Sequence, residues 1–150
     1  LALVQGSWPE KLKVIDSALH KYLLPDGERR VKITSNEDPD GMRSITLVKV
    51  AERLVGCTLL EVTIKTGRTH QIRVHLASQG HPIAGDDKYG DFEWNKVLQK
   101  QGLKRMFLHA WRLQFSHPAT GKRVELKSNL PSELQLYVNH AKPKSTSPPV

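Results

Sequence analysis

At 150 residues the chain is long enough for one domain with a buried core, and its 38% hydrophobic content suits a globular body on the polar side. Twenty-three Lys and Arg against 15 Asp and Glu leave a formal net charge of +8, which points to an anionic partner, most commonly nucleic acid, or to no more than a soluble basic surface. The single Cys57 excludes an internal disulfide framework, and no apolar run is long enough to cross a bilayer or reads as a signal peptide, so a cytoplasmic home is expected.

Leu1–Gly6 reads as a short apolar strand that Trp8-Pro9 breaks, and Lys11–Lys21 is ambiguous. Pro25–Arg30 is a polar loop, Val31–Thr34 a short strand, and Ser35–Arg43 the strongest turn signal in the chain. Ile45–Arg53 and Cys57–Thr66 form a hairpin through Leu54-Val55-Gly56. In its second strand Leu60, Val62 and Ile64 alternate with Leu59, Glu61, Thr63 and Lys65, a period of two that puts the first three on one face. Gly67 is expected to let the backbone turn where a side chain would clash. Thr69 is the N-cap of a helix Thr69–Gln79 carrying Ile72 and Leu76, which Gly80 and Pro82 stop. A short helix within Gly90–Gly102 is anchored by Phe92, Val97 and Leu98. Phe107–Phe115 and Arg123–Lys127 are strands around the turn His117–Lys122, and Cys57 packs as a small apolar residue. Pro131 opens a last helix with Leu134, Leu136 and Tyr137 as its apolar part. The expected fold class is α+β, an antiparallel or mixed sheet with packed helices over residues 1–141, followed by a disordered Pro- and Ser-rich tail at 142–150.

The junction between the second hairpin strand and the helix concentrates chemistry. Lys65, Arg68, His70, Gln71 and Arg73 gather where a strand ends and a helix begins, and oriented amides with guanidinium groups favour an anion there. Such groups position a phosphate backbone without reading its sequence, although a solvated turn accounts for Lys65 equally well and a structural hydrogen bond for His70. The spacings of His70, His75 and His81 do not place two ligands on one helix face, so no metal site is expected. His109 and His117 read as structural, the latter stacked into the turn before Pro118. Asp86 and Asp87 are adjacent and diverge, which suits a turn or a salt bridge to a basic neighbour better than an acid–base pair. Tyr89 stacks on a base or packs on the sheet, with packing the safer reading.

Gly67-Arg68-Thr69-His70-Gln71-Ile72-Arg73-Val74-His75, Gly80-His81-Pro82-Ile83 and Gly85-Asp86 with Tyr89 closely resemble the third motif of the large-subunit ribosomal RNA pseudouridine synthase family. Phe107-Leu108-His109-Ala110, Phe115-Ser116-His117-Pro118 and Thr120-Gly121 match it again, and Leu1–Pro9 looks like the segment after the family's active-site tyrosine. The resemblance implies a mostly antiparallel central sheet with an RNA-binding cleft, and isomerisation of uridine to pseudouridine without cofactor or metal. It implies that Arg73 pairs with the catalytic aspartate, that Ile72 and Leu108 belong to the uridine pocket, and that Lys65, Arg68, His70 and Gln71 hold RNA. The partner so implied is large-subunit ribosomal RNA, bound by a monomer without a membrane.

The chain departs from the family at one point. The family nucleophile stands in an Arg-Leu-Asp motif, which is absent from this sequence, and the family tyrosine would fall just before Leu1. The chain also begins with Leu. It is therefore expected to be the C-terminal part of a longer catalytic domain, inactive alone. A non-catalytic RNA-binding domain with the same fold, or a general basic interaction module, are the alternatives.

Overall fold

A computed structural model of the chain describes residues 1–68, 70–110, 112–116 and 118–142, the stretch 112–116 as backbone alone. The capping role of Thr69, the place of His117 and the tail from 143 onward lie outside the described residues.

Apolar alternation builds a four-stranded antiparallel sheet in the order β1-β6-β5-β2, from β1 (Ala2–Gln5), β2 (Val14–Asp16), β5 (Ile45–Leu54) and β6 (Cys57–Ile64). β3 (Ala18–Leu23) and β4 (Arg29–Thr34) form a separate hairpin, as do β7 (Arg112–Ser116) and β8 (Arg123–Lys127). The ambiguous Lys11–Lys21 thus resolves into two short strands that share no sheet, and the strand expected at Val31 begins at Arg29.

Successive side chains leave a strand on opposite faces, and the sheet uses both. Ala2, Val4 and Leu60 enter one core with Trp8, Ile15, Val48, Ile83 and Leu76 of α1 (Gln71–Ser78). Leu3 and Leu59 enter the other, with Leu98 of α2 (Phe92–Lys100) and Leu134, Val138 and Ala141 of α3 (Ser132–Ala141). Cys57 is buried in this second core, as expected, and burial pushes its thiol up to about 11. Of the face expected in β6, Leu60 is buried, Val62 half-buried and Ile64 exposed.

The helices depart from expectation in which side chains they bury. In α3, Leu136 is 68% exposed while Val138 and Ala141 are buried, because i, i+4 and i+7 from Leu134 share the inward face. In α2, Phe92 and Val97 are exposed and Leu98 alone of the expected anchors is buried, with Trp94 packed beside it. Asp91 caps α2 by accepting from Trp94 N. The stop expected at Gly80 is present: at φ +81 its N–H bonds Ala77 O and the next N–H, from His81, bonds Leu76 O. No helix among the described residues is long and apolar enough to cross a membrane.

Candidate functional site

The strand–helix junction begins where β6 leaves the sheet at Ile64. Gly67 takes no left-handed conformation and a Cβ there would meet nothing within 4 Å, so it is not the hinge expected of it. The left-handed residue is His70, at φ 53, just before α1. A non-glycine residue there costs on the order of 1–3 kcal/mol and persists only when its surroundings hold it. Tyr89 holds it: its hydroxyl lies 2.8 Å from His70 Nδ1, and its ring meets the imidazole edge-on at 5.5 Å. The same hydroxyl accepts from Val31 N at 3.0 Å, so its one hydrogen donates to Nδ1 and the imidazole proton sits on Nε2. Burial, then the charges of Arg73 and Lys88, push the His70 pKa down, which agrees with a neutral ring.

Gln71 was expected to touch RNA, and the structure places it elsewhere. It is 2% exposed. Its Oε1 accepts from Thr66 Oγ1 and Arg68 N, and its Nε2 donates to Ile45 O and Thr46 Oγ1. All four amide positions are used internally, tying α1 to the ends of β5 and β6. Loss of this amide strands several buried groups at about 1–3 kcal/mol each. Gln71→Ala is therefore expected to lower the urea midpoint markedly while leaving the salt dependence of RNA binding unchanged; an altered salt slope at normal stability would return Gln71 to the RNA surface.

His75 continues this polar seam. Thr46 Oγ1 lies 2.7 Å from its Nδ1 and Ser17 O lies 2.9 Å from its Nε2, so neither nitrogen is available to a metal. Burial lowers its pKa against the pull of the Ser17 carbonyl. Below about pH 6.5 the unfolded chain binds a proton that the folded chain resists, so stability is full above that pH and falls as pH drops. The urea midpoint is expected to fall between pH 7.5 and 5.5 and the fall to flatten in His75→Gln; a wild-type midpoint that does not move would show that His75 is not held neutral. His81 is likewise engaged, by Gln5 O at 2.8 Å and by the Trp8 ring. Among the described residues, His20, Asp38 and Asp40 bring three possible ligand atoms together, and Asp38 already accepts from Thr34 Oγ1 and Asp40 N.

Arg73 lies on the next helical position from Ile72, half-buried, its side chain 12% exposed. Its Nε donates to Asp86 Oδ2 at 3.0 Å and its Nη2 to Asp86 Oδ1 at 2.6 Å, and this pairing raises its pKa. The salt bridge expected of the Asp86-Asp87 pair is therefore to Arg73, mainly through Asp86. The Tyr89 ring sits under both guanidinium groups nearby, 5.2 Å from that of Arg73 and 5.9 Å from that of Arg30. Glu28 lies 3.0 Å from Arg30 Nη1 and 2.6 Å from Lys88 Nζ, and moderates the positive charge. Arg30 and Glu28 were not foreseen, because the β3–β4 hairpin that carries them in carries no sequence link to the junction.

Ile72 and Leu108 border the same core. Both pack, half-buried, against the core that α1 and the sheet share, as do Val50, Val62 and Met106. Lys65 is exposed at the end of β6. Arg68 is half-buried and its Nε donates to Arg43 O at 3.1 Å, so part of its guanidinium clasps a neighbouring turn. His109 Nε2 lies 3.0 Å from Ser128 O. The junction thus places a charged, half-buried guanidinium on the same short helix as the core-packed Ile72, with Arg30 and Lys88 nearby.

The RNA pseudouridylate synthase family model matches residues 1–78. Ribosomal large subunit pseudouridine synthase C of Yersinia pestis is 45% identical over 135 residues, which cover 90% of this chain and 41% of that protein. The protein of the same name from Pasteurella multocida (strain Pm70) is 40% identical over 147 residues, or 98% of this chain and 44% of that one. Among solved structures, Human RNA Pseudouridylate Synthase Domain Containing 1 superimposes with a TM-score of 0.70 at 28% identity, covering 88% of this chain and 55% of that one. Human RNA Pseudouridylate Synthase Domain Containing 4 gives 0.68 at 25%, covering 93% and 59%. The chain spans about two fifths of the length of the curated relatives it matches. On the match to more than half of its residues, the chain belongs to the RNA pseudouridylate synthase family.

Proposed function

We propose that this chain is the C-terminal part of the catalytic domain of a synthase that isomerises uridine to pseudouridine in large-subunit ribosomal RNA, in the cytoplasm. The observation that carries this reading is Arg73, a half-buried guanidinium anchored on one side by Asp86 and carried on the helix whose Ile72 packs against the sheet core. The nucleophilic aspartate is supplied by sequence upstream of Leu1. A nearby guanidinium keeps a carboxylate ionised, and only the ionised form attacks. The target base must leave its stack to be reached, at a cost smallest in loops and bulges. Ile72 and Leu108, both half-buried at the edge of one core, offer the flipped base apolar surface. Lys65 and the part of Arg68 not bonded to Arg43 hold the phosphate backbone.

Tritium release from large-subunit RNA labelled at uridine C5 tests the reading. The protein that joins this chain to its upstream sequence is expected to release tritium, and residues 1–150 alone are not. Robust conversion by residues 1–150 would remove the upstream nucleophile from the account. RNA binding without release by the longer protein would favour the non-catalytic alternative. Filter binding across salt tests the phosphate contacts separately: each contributes roughly 0.7–0.9 to the log–log slope. Arg68→Ala is expected to reduce that slope by about one and to weaken unrelated RNAs as much as the target. An unchanged slope with lower thermal stability would assign Arg68 to its Arg43 contact alone.

A further inference from the structure

Asp86 is 1% exposed, and it is fixed before it meets Arg73. Its own N–H bonds Ile83 O at 3.2 Å, and its carbonyl accepts from Asn95 Nδ2 at 2.8 Å. Asn95, buried on α2, also accepts from Gly85 N at 2.9 Å. The carboxylate Oδ1 accepts from the backbone N–H groups of Lys88 and Tyr89 at 3.0 and 3.1 Å. The carboxylate is thus the partner fixed by its own loop, and the long arginine stem is the one with rotamer freedom to lose.

The mode of pairing matters. Asp86 takes the side edge of the guanidinium, Nε and Nη2. A guanidinium carries five N–H groups, so this leaves the end edge, Nη1 with the second Nη2 hydrogen. Nη1 has no hydrogen-bond partner among the described residues, and exposed Asp87 comes nearest at Nη2, at 3.5 Å. The Tyr89 ring, 5.2 Å away, limits tilting of the fork.

We propose that Asp86 is a positioning residue: it locks the side edge of Arg73 so that the end edge is presented to a second carboxylate, the nucleophile supplied from upstream. This rests on the reading of Arg73 given above, and adds the group that aims it. An ion pair that merely staples α1 to the 85–90 loop predicts otherwise, and Asp86→Asn separates the two. In Asp86→Asn the amide oxygen still accepts from Lys88 and Tyr89, so the loop is kept. The amide nitrogen then faces Arg73 Nε, donor against donor, and the lock is lost.

In the protein that joins this chain to its upstream sequence, Asp86→Asn is expected to lower kcat by about 100-fold, the order expected when a reacting group is misplaced by about 1 Å. KM and RNA affinity should stay within about twofold. In an Arg73→Lys background, which lacks the fork, Asp86→Asn should have no further effect, whereas a structural defect would add its full factor again. Selective ¹⁵N-arginine spectra of the same protein should show an Arg73 Nε–H protected from exchange, lost in Asp86→Asn while the backbone spectrum is retained. An undiminished kcat in Asp86→Asn, an equal loss in the Arg73→Lys background, or an unprotected Nε–H in the active wild type would each overturn the positioning role alone. A wild type without turnover would overturn the functional reading and the positioning role with it, even where the Nε–H is protected.

Discussion

Arg73→Ala is expected to lower turnover of the active protein by about 10³-fold or more while RNA affinity changes little. Mutational removal of one preorganised charged or polar group at a reacting centre costs about 10²–10³, and on the function proposed above the guanidinium would also hold the nucleophile in its ionised form. Such a group acts on the reactive state, so the loss falls on kcat rather than on binding. The substitution also strands Asp86, a carboxylate 1% exposed, and removing one partner of a buried pair costs about 3–5 kcal/mol. Asp86 is held below the usual carboxylate range: burial raises it, but the Arg73 bonds and the two backbone N–H groups outweigh that. Arg73→Lys keeps a positive charge against it and should recover most of the stability without the turnover. Steady-state tritium release beside urea melts separates these effects. Near-normal turnover in Arg73→Lys would show that the planar fork is not required, and near-normal turnover in Arg73→Ala would remove the residue from the site.

Gly85→Ala is expected to destabilise the fold by about 3 kcal/mol, lowering Tm by roughly 6–12 °C. Two penalties combine at this position. Gly85 is left-handed, at φ +77, and a Cβ would lie 2.4 Å from Arg105 O and 2.8 Å from its carbonyl carbon. Backbone cannot rotate away as a side chain can, so the 83–86 turn must separate from the strand of chain that follows α2. Because Gly85 N also bonds Asn95 Oδ1, Asp86 would move with it. Gly80→Ala supplies the comparison: it is left-handed at φ +81 but a Cβ meets nothing within 4 Å, so only the conformational cost remains, about 1 kcal/mol. Equal melting temperatures for the two variants would show that Arg105 does not press on Gly85.

Much of this was legible in the chain, for physical reasons. The β5–β6 hairpin announced itself because alternation has a period of two and a turn lay between the runs. The stop of α1 was readable because glycine at a helix end has one main use. The junction at residues 65–73 was readable because a strand end, a helix start and a cluster of cations coincide. What escaped was whatever depends on a third element. Gln71 carries the same amide in solvent or in a seam, and only the ends of β5 and β6 decide which. Gly67 looked like the hinge because glycine usually is, whereas Tyr89, nineteen positions from His70, lets a histidine take that conformation. The face of α3 was misjudged at Leu136 because a short helix admits two apolar stripes, and its sheet-facing stripe runs through Val138. Asp86 was read as a salt bridge, but its partner could not be named from a spacing of 13 residues.

The irregularity in β5 has a consequence for lineage drift. Pairing passes from Val50 opposite Leu60 to Glu52 opposite Leu59, leaving Ala51 as the extra residue of a β-bulge. Beyond it, Leu54 stands opposite Cys57 and packs into the α2–α3 core, whereas Val48 and Val50 pack on the α1 side. A three-nucleotide deletion that removes Ala51 would keep every one of those cross-strand partners and abolish only a kink. The same deletion at Leu47 would shift the first half of the strand by one and turn its side chains inside out. The gene can therefore lose a codon at one point of this strand and not at a point four residues earlier.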